Sequence, residues 1–265
     1  VIANNQAGVI VPSVPGTTIP VFSVTQAEGN AIRDFAVSNG NTTTVAINFP
    51  RTMIPNVADA LAAFSSRGPA GNFALLKPDI TAPGVNVIAA YAVANPAADD
   101  SQLVSAISGT SMASPHHAGA AALLRQARPT WSVPEIKSAL MLTAKQEVFL
   151  EDQVTPANPF AKGAGRVQVN DAIRAGLVMH ETTANYQAAN PAPPVSGDPS
   201  RLNQPSLIST SCVSTCTFQR TLRNTLPHAQ AWSGRVLGIR GSVSPSSFTL
   251  QPGESRTIAV TILTV

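Results

Sequence analysis

From Ser108 to Ala127 the chain reads Ser-Gly-Thr-Ser-Met-Ala-Ser-Pro-His-His-Ala-Gly-Ala-Ala-Ala-Leu-Leu-Arg-Gln-Ala, a run of small residues closed by two leucines. A helix over 111–127 of that composition has little bulk to hold a neighbour away, so it can lie tightly against a sheet. Gly109 lets the backbone turn sharply ahead of Thr110 and Ser111 and approach a ligand closely. A serine at a helix N-terminus stands among unpaired N–H groups at the positive end of the macrodipole, which favour negative charge nearby. That environment suits an acyl-transfer nucleophile, whose tetrahedral intermediate carries an oxyanion. An ordinary N-cap serine makes the same local pattern, so the helix start alone does not separate the two readings.

The surrounding sequence predicts an α/β layer fold. Residues 57–180 are rich in small residues, with strand and helix patterns alternating. Asn86–Tyr91 reads as a buried strand. Ser132-Val-Pro-Glu135 forms a capping box with Pro in the first turn, opening a helix to about Ala144 with Ile136 and Leu140 facing inward. Before this region, Val9–Val11, Ile19–Val24 and Thr42–Phe49 read as strands, and Thr25-Gln-Ala-Glu28 caps a short helix to about Phe35. After it, Thr182 to Pro205 has the Pro, Ala, Asn and Ser content of a linker. The short runs Thr217–Leu222, Gly234–Ile239, Ser246–Leu250 and Thr257–Ile262 then suggest an antiparallel sandwich.

Composition excludes several classes. Charged residues make up 12% of the chain against 44% apolar, a balance that opposes disorder. A net charge of +3 from scattered basic residues offers no stripe for nucleic acid. The apolar stretch 118–124 is too short for a membrane span and ends at Arg125. The opening residues show no Met, basic n-region or apolar h-region; they read as the interior of a domain, and the expectation is a truncated chain. Cys212 and Cys216 are placed to close a small disulfide loop in an oxidising compartment or to remain two thiols, and without nearby histidines they make no zinc site.

The nonapeptide Ser108–His116 resembles the nucleophile segment of the subtilisin-like serine proteases. Phe64-Ser-Ser-Arg-Gly-Pro69, Lys77-Pro-Asp-Ile-Thr-Ala-Pro-Gly84, Trp131 with Ile136-Lys-Ser-Ala-Leu-Met141, and Gly163-Ala-Gly-Arg-Val167 resemble further segments of that family, in its order. Residues 1–48 look like the tail of a protease-associated domain. Leu202-Asn-Gln-Pro-Ser206 and Val243-Ser-Pro-Ser-Ser-Phe248 are similar to the fibronectin type III-like domain of large members. The resemblance implies four parts: 1–50, the protease-associated tail; 51–181, the C-terminal part of a parallel-sheet catalytic domain; 182–204, a linker; and 205–265, an all-β sandwich.

It also implies a secreted endopeptidase acting on proteins or peptides, with Ser111 as nucleophile and Thr110 supporting the oxyanion. Family members order their triad Asp, His, Ser along the chain, yet neither an Asp-Thr/Ser-Gly nor a His-Gly-Thr motif occurs in these 265 residues. His116 and His117 lie five and six positions past Ser111, roughly 7–9 Å along one helix, which suits structural roles; His180 and His228 read as solvent-facing. Asp79 is expected to hold turn amides. Arg67 is expected either to hold the loop into the cleft or to make a surface salt bridge. Trp131 and Met141 are expected in the core. The acidic pairs Asp99-Asp100 and Glu151-Asp152 have no spaced run of oxygen ligands around them, so calcium has no motif, solvated charge is the preferred reading, and no cofactor is expected. The chain on its own is therefore expected to be inactive. The rival reading is a non-catalytic binding module made of the flanking domains. An α/β-hydrolase fails because Gly109-Thr-Ser-Met-Ala113 lacks the closing Gly of the nucleophile elbow.

Overall fold

The computed structural model describes residues 2–3, 23–40, 42, 57–71, 74–91 and 104–264. The runs Val9–Val11 and nearly all of Thr42–Phe49, and the pair Asp99-Asp100, lie outside them. The chain divides into two compact units, 1–55 and 56–265.

In the first unit β1 (Ile2–Ala3) pairs in parallel with β2 (Ser23–Val24), the end of the predicted Ile19–Val24 strand. Helix α1 (Gln26–Ser38) starts where its capping box predicts: the Glu28 amide donates to Thr25 Oγ1 and the Thr25 amide donates to the Glu28 carboxylate.

The second unit begins with an antiparallel pair, β3 (Val87–Ala90) with β4 (Val104–Ile107), running from Val87↔Ile107 to Ala90↔Val104. Within 57–181 the described residues also make two isolated parallel bridges, Ala60↔Phe149 and Thr81↔Arg166. One expectation fails here. The strand at 86–91 forms but is not buried: Ile88 is 74% exposed. Its apolar run reads as interior, but no described layer covers it.

Helix α2 (Thr110–Ala127) follows, then α3 (Val133–Leu142), whose Ser132–Glu135 capping box forms as the sequence indicates. These helices, with α5 (Val169–Ile173), surround the main core, while Ala161 of α4 (Pro159–Lys162) packs in a smaller cluster with Val148 and Ala157. Leu124 and Ala120 from α2 meet Ile136, Ala139 and Leu140 from α3, with Trp131 in the connection and Ala172, Ala175 and Val178 beyond. Met141 is buried too. The alanines at 120, 139, 172 and 175 let the helices approach closely, so tight packing replaces side-chain bulk.

After α5 the strands pair into two antiparallel sheets. One has the order β5 (Leu177–Val178), β6 (Thr215–Asn224), β10 (Ser255–Leu263), β8 (Gly241–Ser244); the other pairs β7 (Gln230–Ser233) with β9 (Ser247–Leu250). The β6–β10 ladder is continuous from Arg223↔Ser255 to Thr215↔Leu263. The run Gly234–Ile239 is not a strand. Gly238 has a φ of +77° and the segment crosses from one sheet to the other, leaving Leu237 72% exposed. Cys212 and Cys216 are joined in a disulfide.

The stretch 182–204, linker-like in composition, carries α6 (Thr183–Ala188) and a 3-10 turn at Pro199–Arg201. Tertiary hydrogen bonds hold it. Buried Glu181 accepts from the amides of Thr182 and Asn203, while Asn203 donates to the carbonyls of His180 and Thr221. The Arg220 guanidinium, itself buried, donates to the carbonyls of Gln204 and Ser206.

The β6 sheet is tied to the helices by an ion pair between Arg223 and Glu135 at 2.6 Å, and by the Met179 amide donating to Ser138 Oγ at 2.8 Å. Burial alone would raise the Glu135 carboxyl, but the Ser132 amide and the Arg223 guanidinium hold it below its ordinary value. A carboxylate depressed in the folded state contributes stability above its unfolded pKa and loses it as pH falls through the folded one. Arg223→Ala strands a buried carboxylate, so unfolding at pH 7 should become easier by about 2–3 kcal/mol. That deficit should shrink below the ordinary glutamate range, as Glu135 protonates. Urea titrations at pH 7 and pH 3.5 check this, and a pH-independent deficit would contradict it.

Candidate nucleophile at the start of helix α2

Strands β3 and β4 converge on one tight junction that sets up Ser111. The segment entering β3 is clamped to the segment leaving β4: the Gly109 amide donates to the Gly84 carbonyl at 2.8 Å, and the Asn86 amide donates to Ser108 Oγ at 2.8 Å. A side chain at 84 could not be accommodated, since its Cβ would stand 2.9 Å from the Gly109 carbonyl oxygen and 3.4 Å from Ala113 Cβ. Gly109, extended at φ 165°, caps α2 without a side-chain bond, and the Met112 amide donates back to its carbonyl.

Thr110 and Ser111 are therefore the first two residues of α2, both exposed. First-turn amides have no acceptor within their own helix, and those of Thr110 and Ser111 find none elsewhere among the described residues. The Ser111 hydroxyl is likewise unengaged there. An exposed hydroxyl beside free amides, at the positive end of an 18-residue helix, can be acylated while those amides meet the developing oxyanion. What the described residues do not supply is a base within hydrogen-bond reach of the hydroxyl.

None of the four histidines hydrogen-bonds the Ser111 hydroxyl. His116 Nδ1 lies 2.8 Å from the Met112 carbonyl of its own helix. Both ring nitrogens of His117 are buried without a partner among the described residues, and burial, with a smaller push from His116, keeps the ring below the ordinary histidine value. His180 and His228 are exposed, and His180 Nδ1 lies 2.8 Å from Ser132 Oγ.

Asp79 differs from expectation, for its carboxylate pairs with Lys77 and, at 3.0 Å, with Lys137 of α3 rather than with turn amides. Burial would raise this carboxyl, but the two lysines bring it below its usual value. Arg67 pairs with Glu151 and also holds its own loop through the Ser65 carbonyl. Asp152 accepts from the Val154 and Thr155 amides of its turn. Among the described residues no group of three or more metal-ligating side chains comes together.

Sequence reasoning missed two features. One is the Gly84–Gly109 clamp, whose signal was a glycine closing Lys77–Gly84. The other is Asp59, with only 8% of its side chain exposed, which joins Lys145 at 2.7 Å and Arg166. Nothing near Asp59 in the chain announces partners 86 and 107 residues away.

A family model described as the Subtilase family matches residues 2–171. The chain is 37% identical over 186 residues to the minor extracellular protease Vpr of Bacillus subtilis (strain 168), a match covering 70% of the chain and 22% of that protein. It is 34% identical over 243 residues to the subtilisin-like protease SBT5.4 of Arabidopsis thaliana, covering 80% of the chain and 31% of that protein. With SBT1.7 of the same plant it shares 41% over 181 residues, 63% of the chain and 24% of the relative. The chain thus spans between about a fifth and a third of the length of these relatives. No described helix is long and apolar enough to cross a membrane.

Proposed function

The chain belongs to the subtilase family, and on that premise we propose that Ser111 is the nucleophile of a secreted serine endopeptidase whose general base and orienting acid lie in polypeptide beyond these 265 residues. The observation that carries the reading is the exposed Ser111 hydroxyl on the first turn of α2, beside amides with no other acceptor among the described residues. Ser111 Oγ attacks a peptide carbonyl and its proton passes to the histidine supplied from elsewhere in the polypeptide. The Ser111 amide, with Thr110 beside it, meets the oxyanion. The C–N bond then breaks, the amine leaves with that proton, and water releases the acyl group from Ser111.

In this reading 51–181 is the C-terminal part of the catalytic domain and 1–50 the end of a protease-associated domain. The segment 182–204 connects to a fibronectin III-like sandwich at 205–265. The extracellular relative supports secretion, and so does the Cys212–Cys216 disulfide, a bond that persists in oxidising compartments.

Fluorophosphonate labelling tests the reading. In a full-length polypeptide carrying the upstream histidine, labelling is expected at Ser111 and lost in Ser111→Ala. In the 265-residue chain it should be slower by about a hundred- to ten-thousandfold, the usual contribution of a general base. Rapid stoichiometric labelling of the chain alone, or full-length labelling that survives Ser111→Ala, would show the reading wrong.

A further inference from the structure

One end of the C-terminal four-stranded sheet combines exposed apolar side chains with unpaired positive charge. The start of β6, the end of β10 and the start of β8 meet there, through the pairings Thr215↔Leu263 and Gly241↔Ile262. The Leu263 amide donates to the Arg240 carbonyl and the Thr264 amide to the Ser214 carbonyl, both at 2.9 Å, so 213–214, 239–240 and 263–264 run side by side. Val213 projects from the loop closed by the Cys212–Cys216 disulfide and is 83% exposed; Leu237 is 72% and Ile239 54% exposed.

The charges are as lopsided as the apolar surface. Residues 205–265 hold five arginines and one acidic residue, Glu254. Three of the arginines are engaged: Arg220 on main-chain carbonyls, Arg223 on Glu135, Arg256 over the Phe248 ring. Arg235 and Arg240, which bracket Leu237 and Ile239, are exposed and have no side-chain partner among the described residues. Glu254 precedes Ser255 at the opposite end of β10, about 30 Å away at 3.3–3.4 Å per residue.

We propose that this end of the sheet is a peripheral docking site for anionic phospholipid bilayers. Leu237, Ile239 and Val213 enter the headgroup boundary while Arg235 and Arg240 bind lipid phosphates. Apolar tips flanked by cations are the combination that interfacial binding rewards, since apolar burial and attraction to anionic lipid add. A soluble polyanion would use the arginines but offer the apolar tips no medium to enter. A second copy of the chain would bring its own positive charge against this one. The site is independent of Ser111 chemistry.

Vesicle flotation with the 265-residue chain tests the proposal. Binding is expected to vesicles of phosphatidylcholine with 30% phosphatidylglycerol and not to phosphatidylcholine alone, and to weaken at least tenfold between 0.05 and 0.5 M NaCl as screening grows. Arg235→Gln with Arg240→Gln should lower the partition coefficient by roughly twenty-five-fold, about fivefold per arginine. Leu237→Asp should lower it by at least about tenfold. Both variants alter exposed positions, and unchanged circular dichroism would confirm that they fold. The proposal is overturned by equal binding to neutral vesicles, by no binding to either, or by variants that bind like the parent. It is also overturned if Leu237→Asp abolishes self-association in sedimentation while lipid binding is absent, or if the chain binds heparin but not the anionic vesicles.

Discussion

Gly84→Val is expected to slow acylation of Ser111 in the full-length polypeptide by about a hundredfold or more, with a smaller effect on folding. The Gly84 carbonyl accepts the Gly109 amide at 2.8 Å, and a Cβ at 84 would press on the Gly109 carbonyl and on Ala113 of α2. A branched side chain must push the start of α2 away from the β3 entry, carrying Thr110 and Ser111 with it. Displacing a reacting group by about 1 Å costs on the order of a hundredfold in rate. Gly119→Ala is the matched control: the same helix, with nothing within 4 Å of the added methyl. It should label as fast as the parent and melt slightly higher, because alanine favours the helix. Fluorophosphonate labelling rates beside melting curves check the pair. Equal labelling of Gly84→Val and Gly119→Ala would remove the clamp from the mechanism.

Gly163→Ala is expected to cost about 3–5 kcal/mol of stability, because backbone strain and a backbone clash add. Gly163 sits at φ +58°, ψ −128°, a region all but reserved for glycine. Its Cβ would also stand 2.5 Å from the Asp79 carbonyl group and closer still to the Pro78 oxygen. Neither obstacle is a side chain able to swing aside. The Ala164 amide donates to the Asp79 carbonyl at 2.9 Å, so a backbone shift there loosens the segment that leads on to Gly84. Gly238→Ala separates strain from crowding, having a φ of +77° but nothing within 4 Å, and should cost only about 1 kcal/mol. Urea midpoints for the two variants decide. A Gly163→Ala loss no greater than that of Gly238→Ala would mean that the approach to 78–79 is not tight.

The Gly163 contact bears on how the family segments work together. Lys77–Gly84, Ser108–His116 and Gly163–Val167 are far apart in the chain but share one region of the fold. Gly163 lies against Pro78 and Asp79, Gly84 against Gly109, and the Thr81 amide donates to the Gly165 carbonyl at 2.8 Å. Their glycines mark close backbone crossings. Phe64–Pro69 joins them where Gly68 abuts the Lys77 carbonyl.

What could be read in advance was set by interactions a few residues long. The capping boxes at Thr25–Glu28 and Ser132–Glu135 formed as expected because amide and carboxylate are three positions apart and meet in any helix that starts there. A helix over 111–127 with Ser111 at its start followed from glycine, small residues and helix geometry, and the structure starts it one residue earlier, at Thr110. The inward face of Ile136 and Leu140 followed from helical periodicity, and Trp131 and Met141 are buried as expected.

The misreadings came where the outcome depends on distant chain. Apolar content at 86–91 promised burial, yet whether Ile88 is covered depends on which layers surround it, and 74% of it is open. Gly234–Ile239 has strand composition but crosses between sheets. The stretch 182–204, linker-like in composition, is held at Asn203 and Gln204 by Glu181, Thr221 and Arg220, contacts that local spacing does not reveal. Asp79 and Asp59 find lysine and arginine partners that no local spacing reveals.

Helix starts, turns and the inward stripe of a helix are legible along the chain, because the atoms that stabilise them are neighbours in it. Which strand stays open, which carboxylate meets which cation, and how closely Gly84 and Gly163 meet remote backbone were settled only on folding, because those energies arise between groups tens of residues apart.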